Sequence, residues 1–263
     1  MSRIDRAFAR AKTEHRAALI TYVCAGDPSL EATAKIVPLL EKAGADLIEL
    51  GIPFSDPIAD GPTIQAASQR ALASGTTAGR VLDLVQTVRR AGVRAPLLLM
   101  TYLNPVLSFG LDRFCDRAAD CGVDGLLVPD LPFDEQGPVS AAAKRRQLAL
   151  VLFAAPTTQA ERLARIGQAT DGFLYFLSLT GVTGSRAALP DELPAQLAAA
   201  KAASRAPVAV GFGISTPEQA RALGGHADGI VVGSALVSAL HGGNGNAEPA
   251  VKLVESLAAA LRP

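Results

Sequence analysis

The chain has 263 residues, of which 49% are hydrophobic and 19% charged, and its formal net charge at pH 7 is +0. This length and apolar content suit one large core, while the balanced charge without a Lys/Arg cluster disfavours nucleic acid and anionic membranes as partners. No apolar run reaches the ~18 residues that span a bilayer, and none follows the charged N-terminus, so we expect a cytoplasmic protein without a secretory signal.

Short apolar runs typical of strands alternate with amphipathic stretches along the whole chain. The eight predicted strands are Ala18–Val23, Asp46–Leu50, Pro96–Thr101, Gly125–Val128, Ala149–Phe153, Phe173–Ser178, Val208–Val210 and Gly229–Gly233. The eight helices predicted after them are Ser29–Ala43, Thr77–Ala91, Leu111–Cys121, Gly137–Arg146, Gln159–Ala169, Pro194–Ala203, Pro217–Leu223 and Pro249–Leu261. Two further helices are predicted over Arg3–Lys12 and Pro62–Ser74.

Eight strand–helix pairs predict an α/β fold, a single (β/α)8 TIM barrel over residues 1–263 with an extra N-terminal helix. A doubly wound open sheet is the alternative, but Ala25–Pro28 follows the first strand where a dinucleotide-binding fold carries G-x-G-x-x-G. The segment Ser215–Glu218 predicts a capping box with Pro217 in the first helical turn. The Gly- and Pro-containing interval Thr180–Glu192 is expected to be a mobile active-site loop.

Cysteine and histidine form no pattern that predicts a metal site or a disulfide framework. The cysteines Cys24, Cys115 and Cys121 are odd in number and form no C-x-x-C motif, which is typical of a reducing compartment. The three histidines lack the spacing of metal ligands. We therefore predict no metal, and we expect the cysteines to be small buried hydrophobic residues.

One acidic residue lies in the second predicted strand and another on the loop that follows it. Glu49 interrupts an apolar run and shares a strand face with Leu47. Both faces of a sheet in a strand–helix repeat are covered, and buried charges are usually kept for a function. Asp60 follows on a loop rich in Pro and Gly. The sequence thus delivers two carboxylates to one end of one strand, as candidate catalytic groups.

Glycine-bearing segments follow the last three predicted strands, at Gly181–Gly184, Gly211–Ser215 and Gly233–Ala235. The loops after strands 7 and 8 of a barrel often bind phosphate together with a helix N-terminus, and glycine lets backbone N–H groups approach the anion. The predicted phosphate-binding residues are Gly184, Gly213, Gly233 and Ser234. An N-cap role for Ser234 stays open, alone or together with phosphate binding.

Aromatic residues make up only 5% of the chain, yet several are predicted near the carboxyl ends of strands. They are Tyr22, Tyr102, Phe153, Phe173, Tyr175 and Phe212. This placement suggests a pocket for a flat apolar substrate, in which tyrosine offers both a ring and a hydroxyl. Core packing is the alternative, and for Phe153 both roles stay open. Met100, Leu127 and Ile230 could complete the walls, although core packing is the simpler role for Ile230.

Five segments together resemble the tryptophan synthase alpha chain family over essentially the whole chain. They are Gly26–Pro28, Glu49–Gly61, Tyr102–Pro105, Ser178–Gly184 and Gly211–Ser215. The resemblance implies a TIM barrel that cleaves indole-3-glycerol phosphate into indole and glyceraldehyde 3-phosphate without a cofactor of its own. It also implies a pyridoxal-phosphate-dependent beta chain as partner, in an α2β2 complex that passes indole through a tunnel.

The resemblance also assigns roles by position, with Glu49 as the acid–base group, Asp60 as the second catalytic carboxylate and Thr183 on a closing loop. The implied substrate contacts are Tyr22, Met100, Tyr102, Leu127, Phe153, Tyr175, Thr183 and Phe212. The implied beta-facing surface includes Pro53, Phe54, Asp56, Pro57, Asn104 and the loop Leu131–Glu135, with Pro53 and Phe54 expected to be exposed. Two departures are Leu179, where some relatives carry Arg, and Tyr22, where Phe is common.

Three other functions are weighed against this one. Another phosphate-binding barrel that isomerises or cyclises a sugar phosphate would place its acids on other strands. A catalytically silent subunit that only activates a beta chain would not need both carboxylates. A stand-alone lyase that releases free indole would carry the same catalytic residues, so only its indifference to a partner would distinguish it.

Overall fold

Eight parallel strands close into a barrel in the computed structural model, which describes residues 1–178, 191–211, 213–243 and 245–262. The strands are β1 (Ala18–Cys24), β2 (Leu47–Gly51), β3 (Leu97–Met100), β4 (Gly125–Leu127), β5 (Ala149–Ala154), β6 (Leu174–Leu177), β7 (Val208–Gly211) and β8 (Gly229–Val232). Each strand pairs with the next in sequence, and β8 pairs with β1. The predicted TIM barrel is confirmed, and the open sheet is wrong.

Twelve α-helices lie in the described part of the chain, and none of those is both long and apolar enough to cross a membrane. They are α1 (Arg3–Thr13), α2 (Leu30–Ala43), α3 (Pro62–Ala73), α4 (Ala78–Arg90), α5 (Leu103–Phe109), α6 (Leu111–Cys121), α7 (Gly137–Arg145), α8 (Ala160–Ala169), α9 (Leu193–Ala203), α10 (Pro217–Gly224), α11 (Ser234–Gly242) and α12 (Glu248–Leu261). A short 3-10 helix spans Phe133–Glu135. All ten predicted helices are present, including the extra N-terminal helix.

The alternation of side chains along each strand divides the apolar core into two parts. On β2, Leu47 packs inside the barrel with residues such as Ile20 and Leu98. Ile48, one residue further along, packs outside the barrel against the helices. The two-residue period of a strand therefore places Glu49 on the inner face with Leu47, as predicted.

Helix α1 closes the amino end of the barrel interior. Its buried face includes Ile4 and Phe8, which belong to the inner core, and the Phe8 ring centroid lies 5.6 Å from that of Phe173. Ser2 caps the helix through a reciprocal pair of hydrogen bonds with Asp5. The amino end is therefore filled, which leaves the carboxyl ends of the strands for a buried site, as in other TIM barrels.

Helices α5 and α11 lie where the sequence prediction had only loops. In α5, Pro105 occupies the first turn, where its missing N–H needs no partner, and Gly110 ends the helix with a φ of +92°. In α11, Gly233 is the N-cap, so a segment predicted as a glycine loop also begins a helix. Both helices are short, and their capping residues resemble loop residues in sequence.

Two smaller sequence predictions are settled by local contacts. The helix start near residue 216 is a capping box, but Thr216 and Gln219 form it rather than the serine and glutamate predicted. The Thr216 hydroxyl accepts from the Gln219 N–H (3.3 Å), and the Gln219 side chain accepts from the Thr216 N–H (3.2 Å). The free cysteines Cys24, Cys115 and Cys121 are all buried, as expected.

Candidate active site

Glu49 is a fully buried acid in the middle of β2. Its neighbours in the strand register are Tyr22 on β1 and Leu98 on β3. Neither carboxyl oxygen has a hydrogen-bond partner among the described residues, and burial raises the pKa of this carboxyl to about 8. Glu49 is therefore mostly protonated at pH 7, with no internal acceptor competing for its proton, as a general acid requires.

Asp60 is a half-buried acid on the loop between β2 and α3. Burial raises its pKa to about 6, against the opposing effect of a hydrogen bond from the Tyr102 side chain. The Tyr102 hydroxyl also accepts from the Ala59 N–H at 3.0 Å, which holds the loop beside the first turn of α5. Asp60 is therefore mostly ionised at pH 7, unlike Glu49.

The carboxyl groups of Glu49 and Asp60 both lie near Tyr22 and Tyr175, and the region around these four residues is called the chamber below. Burial is the main cause that raises the pKa of each tyrosine well above 10, and the carboxyls of both Glu49 and Asp60 raise it further. Electrostatic coupling of this kind requires proximity. The structure thus brings together the two acids that the sequence singled out, with two aromatic hydroxyls beside them.

Two glycines make room for those tyrosines. A Cβ atom added at Gly51 would lie 2.1 Å from the Tyr22 hydroxyl oxygen, and one added at Gly211 would lie 2.3 Å from that of Tyr175. The strand ends must therefore lack side chains at these positions for each ring to cross over its neighbouring strand. Neither requirement was visible in the sequence.

The walls of the chamber include three further residues predicted to contact substrate. Leu127 is buried in the inner core at the end of β4. Met100 is half-buried and packs against both the inner core and the cluster that contains Tyr22. Phe153 is half-buried, with its ring centroid 5.0 Å from that of Tyr175.

Two other candidate wall residues lie elsewhere. Phe173 precedes β6 and is fully buried at the amino end of the barrel against Phe8, so its predicted position near a carboxyl strand end is wrong. Ile230 packs outside the barrel against the helices, which confirms its core role. Its strand position alternates with the inner-facing Val231, which explains the outward direction.

The loops after β7 and β8 offer backbone N–H groups at the same end of the barrel as the two acids. Gly213 has a φ of +76°, and nothing lies within 4 Å of where its Cβ would be. Gly233 is the N-cap of α11 and makes no side-chain capping bond, and Ser234 is the first helical residue rather than the N-cap. The first N–H groups of α11 have no acceptor within the helix and suit an anion.

Strand order places this helix N-terminus next to the acids. β1 lies between β8 and β2, with Thr21 paired to Val232 and Tyr22 paired to Glu49. A Cβ added at Gly233 would lie 3.6 Å from the Tyr22 Cβ. Tyr22 therefore lies between Gly233 on one side and Glu49 on the other.

Some parts of the predicted site lie beyond the described residues. They are Leu179, Thr183, Gly184 and Phe212. Across the described ranges, no group of three His, Cys, Asp or Glu side chains is placed to hold a metal ion.

The rim expected to face a partner differs from the sequence prediction in its apolar residues. Pro53 is buried, and Phe54 is half-buried with its ring centroid 5.4 Å from that of Tyr102. The expectation that both are exposed is wrong, because Pro53 is buried and Tyr102 covers part of the Phe54 ring.

The exposed apolar side chains of this rim are two residues that the sequence reasoning missed. Ile58 is 83% exposed on the same loop, and Leu107 is 55% exposed on α5. Asp56 and Asn104 are exposed and Pro57 is half-buried. The sequence could not show that these two side chains are exposed. Periodicity of apolar residues predicts burial only over a run of residues, and Ile58 and Leu107 stand alone in a loop and a short helix.

The predicted loop Leu131–Glu135 is held by contacts within the chain. Asp134 pairs with Arg162 (2.7 Å) and Arg165 (3.3 Å) of α8. Both guanidinium groups lie over the Phe133 ring, at 5.8 and 5.2 Å from its centroid. Asp134 and Phe133 of this loop are thus already engaged by α8.

An ion pair anchors α3, the helix that follows the Asp60 loop. The Arg70 guanidinium donates two hydrogen bonds to the carboxylate of Asp27, at 2.8 and 2.7 Å. Asp27 is only 8% exposed, so this bidentate pair fixes α3 to the loop after β1. The sequence marked the Asp27 segment but gave no sign of its partner.

Sequence comparison finds relatives along nearly the whole chain. The family profile described as "Tryptophan synthase alpha chain" matches residues 8–262. The tryptophan synthase alpha chain of Prochlorococcus marinus (strain MIT 9313) is 52% identical over 235 residues, covering 89% of this chain and 85% of the relative. That of Pelobacter propionicus (strain DSM 2379 / NBRC 103807 / OttBd1) is 45% identical over 263 residues, covering 99% and 98%.

Structure comparison agrees with the sequence matches. The crystal structure of tryptophan synthase subunit alpha from Legionella pneumophila str. Paris has a TM-score of 0.93 and 39% identity, covering 99% of this chain and 98% of that chain. A structure of Mycobacterium tuberculosis tryptophan synthase has a TM-score of 0.92 and 38% identity, covering 100% and 99%.

Proposed function

The chain belongs to the tryptophan synthase alpha chain family, and on that premise we propose that Glu49 and Asp60 carry out its acid–base chemistry. The chain is a lyase of tryptophan biosynthesis that cleaves indole-3-glycerol phosphate into indole and glyceraldehyde 3-phosphate. The observation that carries the assignment is the isolation of the Glu49 carboxyl, which is buried without a hydrogen-bond partner among the described residues. A barrel core has no structural use for such a group.

Cleavage is a retro-aldol reaction in which indole C3 gains one proton and the adjacent glycerol hydroxyl loses one. Protonated Glu49 gives its proton to C3, which makes the indole ring a cation. The Glu49 carboxylate then takes the hydroxyl proton as the carbon–carbon bond breaks. The electron pair of that bond returns to the indole ring, and the hydroxyl carbon becomes the aldehyde. Glu49 thereby ends protonated, as it began, and its pKa of about 8 suits both transfers.

Asp60 has a different task in this scheme. Its pKa of about 6 leaves a carboxylate at pH 7, which accepts a hydrogen bond from the indole N1–H. The negative charge stabilises the ring cation that forms when C3 is protonated. The strand residue Glu49 and the loop residue Asp60 thus serve two roles because their surroundings separate their pKa values.

The non-reacting parts of the substrate provide orientation. We place the phosphate at Gly213, Gly233 and Ser234, where backbone N–H groups and the α11 dipole supply positive potential. Tyr22, Met100, Tyr102, Leu127, Phe153 and Tyr175 are the proposed contacts to the indole and glycerol. Three more proposed contacts, Thr183, Gly184 and Phe212, rest on the sequence motifs alone.

The family name implies a beta chain as partner. We propose an α2β2 complex in the cytoplasm, with pyridoxal phosphate in the beta chain and no cofactor in this one. The exposed Ile58 and Leu107, on the same rim as the predicted Asp56, Pro57 and Asn104, support a protein contact at this end of the barrel.

One assay separates this function from its alternatives. Release of glyceraldehyde 3-phosphate from indole-3-glycerol phosphate is measured with the chain alone and with an added tryptophan synthase beta chain. Weak activity that rises with the partner is expected. Strong activity that ignores the partner would favour the stand-alone lyase, and no cleavage in either condition would favour the silent subunit.

A further inference from the structure

A cavity of about 680 Å³ lies at the amino ends of β1, β2 and β3, away from the candidate active site. It is bounded by α1, by the ends of α2 and α12, and by the residues just before β2 and β3. Asp46, in its wall, precedes Glu49 by three residues, or roughly 10 Å along the strand toward the opposite end of the barrel. This cavity therefore belongs to neither the chamber nor the phosphate loops.

The cavity is lined by arginines that come from four separate parts of the chain. They are Arg3, Arg6, Arg10, Arg16, Arg94 and Arg262. Three carboxylates, Glu14, Glu41 and Asp46, share the wall, so the lining carries a formal excess of three positive charges. The chain as a whole has a net charge of +0, which makes this local excess a specific feature of the folded structure.

The carboxylates of the cavity are already engaged by the protein. Asp46 accepts hydrogen bonds from Arg10 (2.6 Å), from Arg16 (2.5 and 2.9 Å) and from the Leu19 N–H (2.9 Å). Burial alone would raise the pKa of Asp46, but these hydrogen bonds outweigh it and lower the pKa. Glu14 pairs with Arg16 at 2.7 Å.

Glu41 is engaged by backbone groups. One of its oxygens accepts from the N–H groups of Arg94 (2.9 Å) and Ala95 (2.7 Å). This contact holds the backbone at Arg94. The Arg94 guanidinium makes no hydrogen bond within the described ranges.

Three guanidinium groups remain available to a ligand. Arg94 and Arg262 are exposed, and within the described ranges their side chains make no hydrogen bond or ion pair. Arg6 is exposed and donates one hydrogen bond, to the Met1 carbonyl at 2.9 Å. The planar donor fork of arginine matches phosphate oxygens in pairs, and several such groups around one concave space favour a ligand with more than one phosphate.

We propose that this cavity binds a small polyphosphate, of the class of nucleoside di- and triphosphates. Its volume falls within the roughly 300–1,000 Å³ typical of small-molecule sites. In this proposal the arginines hold the phosphates, and a base lies beside the apolar atoms that Ala7, Ala45 and Pro96 contribute to the lining. The site is independent of the cleavage reaction, because none of its residues lies in the candidate active site.

The test is calorimetric titration of the full chain with inorganic triphosphate, ATP and adenosine at fixed ionic strength without divalent cations. We expect inorganic triphosphate and ATP to bind one per chain at this site, and adenosine alone not to bind measurably. Tighter binding of ATP than of triphosphate would show that the apolar wall reads the base, and equal binding would show that phosphate alone is read. Binding of adenosine without triphosphate would overturn the proposal.

Two double variants locate the binding site. Arg94→Ala/Arg262→Ala removes two charges from the cavity and leaves the ion pairs of Asp46 intact, so we expect affinity for triphosphate to fall at least about tenfold. Lys35→Ala/Arg113→Ala removes two exposed charges outside the cavity and should leave affinity unchanged. Equal affinity in the two variants, or no binding to the unaltered chain, would overturn the proposal. The arginines of the cavity would then be ordinary charged residues exposed to solvent.

Discussion

At the scale of single residues, the proposed mechanism depends on two carboxyls whose pKa values are raised to different extents. Glu49 is raised to about 8 by complete burial, and Asp60 to about 6 by partial burial that the Tyr102 hydrogen bond opposes. Glu49 must be protonated and Asp60 ionised for the proposed chemistry. Both conditions hold together only between the two pKa values.

The pH dependence of cleavage follows from this pair. We expect kcat/KM to be bell-shaped, falling below about pH 6 as Asp60 is protonated and above about pH 8 as Glu49 is ionised. Steady-state assays from about pH 5 to about pH 9, at steps of about half a pH unit, would measure this profile of kcat/KM. A flat profile across this range would contradict the assignment of both groups.

Tyr102→Phe tests the cause of the lower pKa. The substitution removes the hydrogen bond that lowers the pKa of Asp60, so the acidic limb of the profile should move to higher pH while the basic limb stays in place. It also leaves the Ala59 N–H without its partner. An unchanged acidic limb would mean that another group sets it.

The burial of Glu49 has a consequence for stability. The carboxyl is protonated in the folded state up to about pH 8, but the unfolded chain ionises near 4.5, so folding stability falls as pH rises between these values. The loss in the unaltered chain is about 1.4 kcal/mol per pH unit, and Glu49→Gln removes it. We expect the variant to be a few kcal/mol more stable than the unaltered chain at pH 8 and about equal at pH 4.5, by urea denaturation. The same difference at both pH values would contradict the raised pKa.

At the scale of elements, the site depends on loops and short helices whose positions are fixed by side-chain contacts. The β2–α3 loop that carries Asp60 is held by Tyr102 at one point, and α3 is held by Asp27 and Arg70 at another. The strand and long-helix pattern was readable from the sequence, because apolar periodicity is local. The Asp27–Arg70 contact was not readable, because its members lie 43 residues apart.

Arg70→Ala should destabilise the protein by roughly 3 kcal/mol, because it leaves the nearly buried Asp27 carboxylate without a partner. The double variant Asp27→Asn/Arg70→Ala should lose less, since it removes that unpaired charge. Urea denaturation of the three chains measures both differences. A loss below about 0.5 kcal/mol in the single variant would mean that the pair is as weak as an exposed ion pair.

At the scale of the whole molecule, the barrel separates two ends with different character. The carboxyl end holds the acids, the proposed phosphate loops and the exposed Ile58 and Leu107, and the amino end holds α1 and the arginine-lined cavity. The sequence predicted the barrel and the two acids, because a buried charge in an apolar strand is visible locally. It did not reveal the arginine cavity, which needs the tertiary fold to assemble it.

A polar substitution at the exposed rim tests the partner surface. Ile58→Ser should weaken activation of a beta chain by about tenfold or more if this residue is an interface anchor. Leu39→Ser, at an apolar residue 37% exposed on α2, is the matched control and should leave activation unchanged. Equal activation by both variants, titrated against a fixed amount of beta chain, would exclude Ile58 from the contact.

The central claim is that Glu49 transfers the protons of the cleavage step. Single-turnover release of glyceraldehyde 3-phosphate is compared in the unaltered chain and Glu49→Gln, with the affinity for indole-3-glycerol phosphate measured in parallel. The account predicts a loss of about a thousandfold or more in rate, with affinity changed only slightly, because general acid–base catalysis contributes of the order of 10²–10⁴. Near-normal turnover in Glu49→Gln would contradict it.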